Sequence, residues 1–122
     1  PEPAVTDLLK DIAPQQPVML LEVAGIIKLG RGVAYKIQSS ALIALQQYLK
    51  RQWQPWLTPQ DRQGFRPHIT IQNKVEAATA NKLFEELTAS FCPFTAQGIG
   101  LSLWEYRGGP WHKVQDYDFR HI

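Results

Sequence analysis

Apolar side chains recur at helical spacing at the start of the chain, where Val5, Leu8, Leu9 and Ile12 fall on one stripe and predict a short amphipathic helix over residues 3–13. Thr6 or Asp7 suits the positive end of its dipole, and Pro14 and Pro17 end it. Residues 18–29 are rich in β-formers, and Gly30, Arg31 and Gly32 supply turn residues. Val33, Tyr35 and Ile37 then alternate with Ala34, Lys36 and Gln38. Two strands joined by a tight turn follow from this pattern.

Helical spacing returns at Leu42, Ile43, Leu45 and Leu49, with Ser39 or Ser40 as the cap and Lys50 and Arg51 at the favourable C-terminal end. Residues 54–66 are polar, contain Pro55 and Pro59, and read as a loop. Pro67 disfavours helix at Arg66, and His68-Ile69-Thr70-Ile71 alternates like a half-buried strand, with Ile69 and Ile71 expected in the core. Residues 76–91 return to helical spacing through Ala80, Leu83, Phe84 and Leu87. Residues 94–107 read as one strand. Gly108-Gly109-Pro110 breaks it, and a last strand is expected over residues 111–119.

The second half therefore reads strand, helix, strand, glycine turn, strand, and the first half reads helix, strand, glycine turn, strand. An arginine accompanies each glycine turn, Arg31 in the first and Arg107 in the second. The halves repeat, minus one strand. His68 lies 40 positions before Gly108, and the same distance back from Gly30 falls about ten residues before Pro1, so the equivalent histidine strand is expected upstream of Pro1. The expected fold is α+β: two pseudo-symmetric lobes of mainly antiparallel sheet with helices packed outside, the first lobe incomplete. Residues 1–122 form a single domain, with residues 1–51 as the partial first lobe and connecting helix and residues 67–122 as the second lobe.

Length and composition agree with one ordered domain: 122 residues and 44% hydrophobic content suffice for a core without metals or disulfides. A formal charge of +2 does not by itself indicate nucleic-acid binding. The single cysteine, Cys92, has no disulfide partner and is expected to be a buried packing residue, which fits a reducing cytoplasm. The longest apolar run is too short to span a bilayer, and there is no secretory signal pattern. No membrane role is expected.

Chemistry concentrates on the His68 strand. Side chains at i and i+2 share a face, so His68 and Thr70 project into one space. Histidine exchanges a proton near neutral pH, and a hydroxyl beside it holds a phosphoryl oxygen. Gln72 and, with strand twist, Lys74 are expected to continue that face, and Arg66 precedes it. A His-x-Thr pair also occurs by chance on ordinary surface strands; the longer match carries the weight.

The string Arg66-Pro67-His68-Ile69-Thr70-Ile71-Gln72-Asn73-Lys74 resembles the second signature of the two-histidine phosphoesterases, the superfamily of 2′-5′ RNA ligases and cyclic phosphodiesterases. Leu29-Gly30-Arg31-Gly32-Val33-Ala34, Pro59-Gln60-Asp61-Arg62 and Tyr106-Arg107-Gly108-Gly109-Pro110-Trp111 extend the resemblance over essentially the whole chain. It implies two lobes that each contribute a His-x-Thr or His-x-Ser strand to a shared cleft, and catalysis without metal or cofactor. The implied substrate is an RNA end or small nucleotide bearing a 2′,3′-cyclic phosphate or a 2′-5′ bond. His68 and Thr70 would be catalytic, with His68 as one member of an acid–base pair.

Arg66, Gln72, Lys74, Arg31 and Arg107 are the candidate phosphate contacts, although arginines in turns are ordinarily only solvated. Tyr35 and Trp111 follow the two glycine turns and are candidates for stacking on a base, against the ordinary role of core packing. Trp53, Trp56 and Trp104 are expected to be packing residues or loop anchors; His112 lacks a hydroxyl partner at i+2 and His121 lies next to the C-terminus, where fraying is expected, so neither is expected to be catalytic. Two other readings stand beside the enzyme: an RNA- or nucleotide-binding module on the same scaffold, and a homodimer that assembles a composite site from two His68 strands.

Overall fold

A computed structural model describes residues 3–57, 64–106, 108 and 110–120. The order of elements is helix α1 (Pro3–Ile12), a 3-10 turn (Ala13–Gln15), strands β1 (Met19–Lys28) and β2 (Val33–Gln38), helix α2 (Ser40–Gln52) and a second 3-10 turn (Gln54–Trp56). Strand β3 (His68–Gln72), helix α3 (Ala77–Ser90) and strands β4 (Phe94–Gly98), β5 (Gly100–Tyr106) and β6 (Trp111–Asp118) follow. The fold is α+β, and the chain divides into two compact units, Leu20–Ala96 and a second made from the segments before and after it.

The larger unit is built on a four-stranded sheet in the order β3-β2-β1-β4. β1 and β2 form the expected antiparallel hairpin, which Leu29 closes by donating its N–H to the Gly32 carbonyl at 2.9 Å. Ser39 caps α2, its hydroxyl accepting from the Leu42 N–H at 3.1 Å. β3 runs antiparallel to β2, with Ala34 opposite Thr70, Tyr35 opposite Ile69 and Lys36 opposite His68. Val33, Tyr35 and Ile37 share one face, and helix α3 covers it: Lys28, the partner of Val33 in β1, donates to Asn81 Oδ1 at 3.1 Å and lies 5.4 Å from the centre of the Phe84 ring. Val23, Val33, Ile37, Leu45 and Ala80 are buried there. Ala34, Lys36 and Gln38 take the other face.

The smaller unit pairs β5 with β6 in an antiparallel ribbon with a bulge between Leu103 and Trp104. Leu9, Ala13, Met19, Tyr117 and Phe119 are its buried apolar residues. Val18 donates to the Arg120 carbonyl at 3.1 Å and Arg120 to the Gln16 carbonyl at 2.8 Å, so the segment after α1 is tied to the segment after β6. On the solvent face Asp116 accepts from Ser102 Oγ at 2.6 Å and from Lys113 Nζ at 2.9 Å, and these bonds hold its carboxyl below the ordinary aspartate value, Ser102 first.

Four expectations are corrected. The single strand expected over residues 94–107 is, across the described residues 94–106, two strands in different sheets, separated at Ile99; at Gly100 the backbone lies so close to the Tyr117 carbonyl that a side chain would crowd it. Ile69 and Ile71 are 46% and 37% exposed, since β3 is the edge of its sheet. Cys92 is exposed, on the short link between α3 and β4. Trp56 and Trp104 are 46% and 48% exposed, and Lys113 Nζ lies 5.8 Å from the Trp104 ring centre. Also, β3, which opens the second half of the sequence repeat, hydrogen-bonds to β2 of the first.

Gly32 fixes the end of the β2–β3 pair. An added Cβ there would run into the Gln72 carbonyl and come within 3.0 Å of the Asn73 Cα. Gly32→Ala is expected to cost about 1–3 kcal/mol in urea unfolding, as overpacking against backbone does; a midpoint unchanged from the parent would contradict this contact. For Asp116, a lowered folded pKa means that its contribution to stability is present above the unfolded pKa and lost as pH falls through the folded one. Ser102→Ala should move the Asp116 carboxyl titration, followed by carbon NMR, upward toward the ordinary value.

Candidate active site on strand β3

Pro67 begins the site. It holds the preceding residue in extended geometry, and its carbonyl accepts from the Ile37 N–H at 3.1 Å, which registers β3 against β2. Ile37 and Pro67 are thereby a hydrogen-bonded position of the ladder. The next rung, Lys36 opposite His68, is a non-hydrogen-bonded position, where facing Cα atoms approach to about 4.5 Å. The same alternation makes Ala34 opposite Thr70 a narrow rung. The short Ala34 side chain leaves the space beside the Thr70 hydroxyl uncrowded by its cross-strand neighbour.

His68 is exposed, and its Nδ1 lies 2.8 Å from the Arg66 carbonyl oxygen. A carbonyl only accepts, so Nδ1 carries the proton, and in the neutral ring Nε2 holds the lone pair. The bond also fixes the ring orientation. His68 and Thr70 are placed as the i, i+2 rule requires, on the face opposite α3.

The alternation stops there. A register shift between Val33 and Ala34 places Gln72 opposite Val33, so Gln72 does not continue the His68–Thr70 face as expected. Its Oε1 is buried with no hydrogen-bond partner. Lys74 lies beyond the end of β3 in a left-handed conformation, φ 57°, with its N–H bonded to Asn73 Oδ1 at 2.9 Å, so it also leaves the strand face. Arg31 donates its Nε–H to the Val75 carbonyl at 3.1 Å, and its own carbonyl accepts from the Val75 N–H at 3.1 Å. The two bonds clamp the segment after β3 to the β1–β2 turn.

Tyr35 takes the opposite face from His68 and packs against Phe91 and Phe94, with ring centres 6.4 and 5.6 Å away. Trp111 is 62% exposed on β6, in the smaller unit. Arg107 lies outside the described residues. Arg66 and His68 both line an open groove of about 740 Å³, together with Lys36, Gln38, Ser39 and Ser40 and an apolar part that includes Phe65 and Ile43. No Asp or Glu is among the described residues that line it. Lys36 and Phe65 went unassigned in the sequence because nothing local marks them; cross-strand register and the groove bring them to His68.

These features define a surface that presents an oriented imidazole, a hydroxyl and cations. A sequence model of the 2′-5′ RNA ligase superfamily matches residues 1–110, and the chain belongs to that superfamily, whose members carry out phosphoester chemistry. No individual protein of curated function matches the sequence. Among the described residues no helix is long and apolar enough to cross a membrane.

The tautomer is directly testable. Nitrogen-15 NMR of the neutral His68 ring should show a protonated Nδ1 and an unprotonated Nε2. The opposite assignment would remove the orienting bond to the Arg66 carbonyl.

Proposed function

We propose that this protein is a metal-independent phosphoesterase of the 2′-5′ RNA ligase type, acting on a 2′,3′-cyclic phosphate or a 2′-5′ phosphodiester at an RNA end or in a small nucleotide. The observation that carries the reading is the His68 imidazole bonded to the Arg66 carbonyl, with Thr70 on the same strand face and a groove whose described lining residues include cations and no carboxylate. Membership of the superfamily supports it.

In hydrolysis of the cyclic ester, water attacks phosphorus while one histidine of a pair takes its proton. The bond to one ribose oxygen breaks, and the other histidine protonates that oxygen as it leaves. His68 supplies one member, and its Nε2 is the atom that exchanges the proton. Thr70 donates its hydroxyl hydrogen to a phosphoryl oxygen, where charge builds in the transition state. With a 5′-hydroxyl in place of water as nucleophile, the same groups take its proton, let it bond to phosphorus and protonate the departing 3′ oxygen, which joins the ends through a 2′-5′ linkage. Arg66 contacts the backbone of the nucleic acid.

One observation favours a second reading. His68 is the only histidine in its unit, so the other member of the pair must come from elsewhere. Without that member the same surface binds an RNA end or nucleotide and does not turn it over.

The test is hydrolysis of an oligonucleotide ending in a 2′,3′-cyclic phosphate by the full-length polypeptide, with EDTA present, beside His68→Ala and Thr70→Val variants. Loss of about 10²–10⁴-fold is expected for His68→Ala, the usual contribution of a general acid or base, with a smaller loss for Thr70→Val. Equal background rates from folded parent and His68→Ala would reject catalysis on this substrate and leave the binding reading.

A further inference from the structure

The geometry points to Lys36 as an additional phosphate-binding residue of the His68 site, an assignment that rests on the reading of that site as one for a phosphoester. Lys36 faces His68 across the narrow rung of the β2–β3 ladder, so the two side chains leave the sheet side by side on one face. Thr70 lies two residues along the same face. Imidazole, hydroxyl and ammonium are thus brought to one patch by three residues on two strands.

The surroundings of Lys36 leave its charge available. Among the described residues Lys36 makes no hydrogen bond or ion pair. Its register partner on the other side, in β1, is Gly25, which has no side chain, and an added Cβ at Gly25 would meet nothing within 4 Å. The carboxylate nearest in register, Glu22, sits opposite Gln38, two residues along β2 from Lys36 on the same face, and lines a neighbouring hollow with Gln38, Ser39 and Ser40 rather than the groove shared by Lys36, Arg66 and His68. A lysine and a protonatable imidazole in a narrow rung repel one another when both are charged. With no carboxylate among the described lining residues, a bound phosphoryl group is the anion that relieves this arrangement. The lysine acts as a compact point charge on a phosphoryl oxygen, next to the Thr70 hydroxyl and over the open space at Gly25.

The test uses the ring-opened product, adenosine 2′-monophosphate, titrated into the full-length polypeptide by calorimetry and followed by amide NMR, so that binding is read apart from turnover. Lys36→Met should weaken binding about tenfold or more, the usual size of a lost charge-assisted bond, and Lys36→Arg should recover most of it. Lys82→Met, on the exposed side of α3, should leave binding unchanged. Gly25→Leu should also weaken binding with unchanged thermal stability, because it fills the open space on the ligand side.

Binding by Lys36→Met within about twofold of the parent, where the parent binds, overturns the assignment and leaves the proposed function standing. A parent that binds through Lys36 but does not hydrolyse the cyclic ester rejects the catalytic reading and keeps Lys36 as a phosphate ligand. A folded parent that binds neither this nucleotide nor the cyclic ester overturns both.

Discussion

The antiparallel pairing of β3 with β2 is the constraint on which the site depends. The Ile37 N–H to Pro67 carbonyl bond sets which rungs are wide and which are narrow, and therefore which side chains meet. A slip of one residue would turn His68 and Thr70 toward α3 and bring the isoleucines to the groove. The other end of the pair is fixed by Gly32, where the backbones approach too closely for any side chain, and by the two bonds between Arg31 and Val75. Arg31 thus has a structural employment that explains why an arginine in this turn is not simply solvated.

Being the edge strand has costs and uses. Ile69 and Ile71 lie partly exposed on one face because β3 has a neighbour on one side only. The same position leaves His68 and Thr70 open to a ligand, and the Arg66 carbonyl, just outside the ladder, is available to accept from the imidazole. The charged residues described in the groove lining are cationic, with no carboxylate among them. An oriented proton-transfer group in such a field suits phosphoester chemistry, in which charge builds on phosphoryl oxygens.

Most elements were legible in the chain. The α1 stripe, the β1–β2 hairpin around Gly30 and Gly32, the Ser39 cap, the extended start at Pro67 and the α3 spacing all follow from short-range rules and appear where those rules place them. The i, i+2 relation of His68 and Thr70 was equally local. What failed depended on partners distant in sequence. A continuous β pattern over residues 94–107 carries no mark of which sheet each part joins, and the apolar character of Ile69 and Ile71 says nothing of whether a strand is central or at an edge. Cys92 was placed inside from its residue type, whereas the connection it occupies runs over the surface.

For the site, sequence determined the family and marked His68 and Thr70 as the candidate pair, because the motif and the turn signatures are contiguous strings. Tertiary structure decided which other residues stand beside the pair. It turned Gln72 to the far face through a register shift, engaged Arg31 with Val75, packed Tyr35 against Phe91 and Phe94, and brought Lys36 opposite His68. The physical reason is that i, i+2 geometry is a property of one strand, whereas a cross-strand neighbour is defined by hydrogen bonds between segments some thirty residues apart, and no local pattern encodes that register.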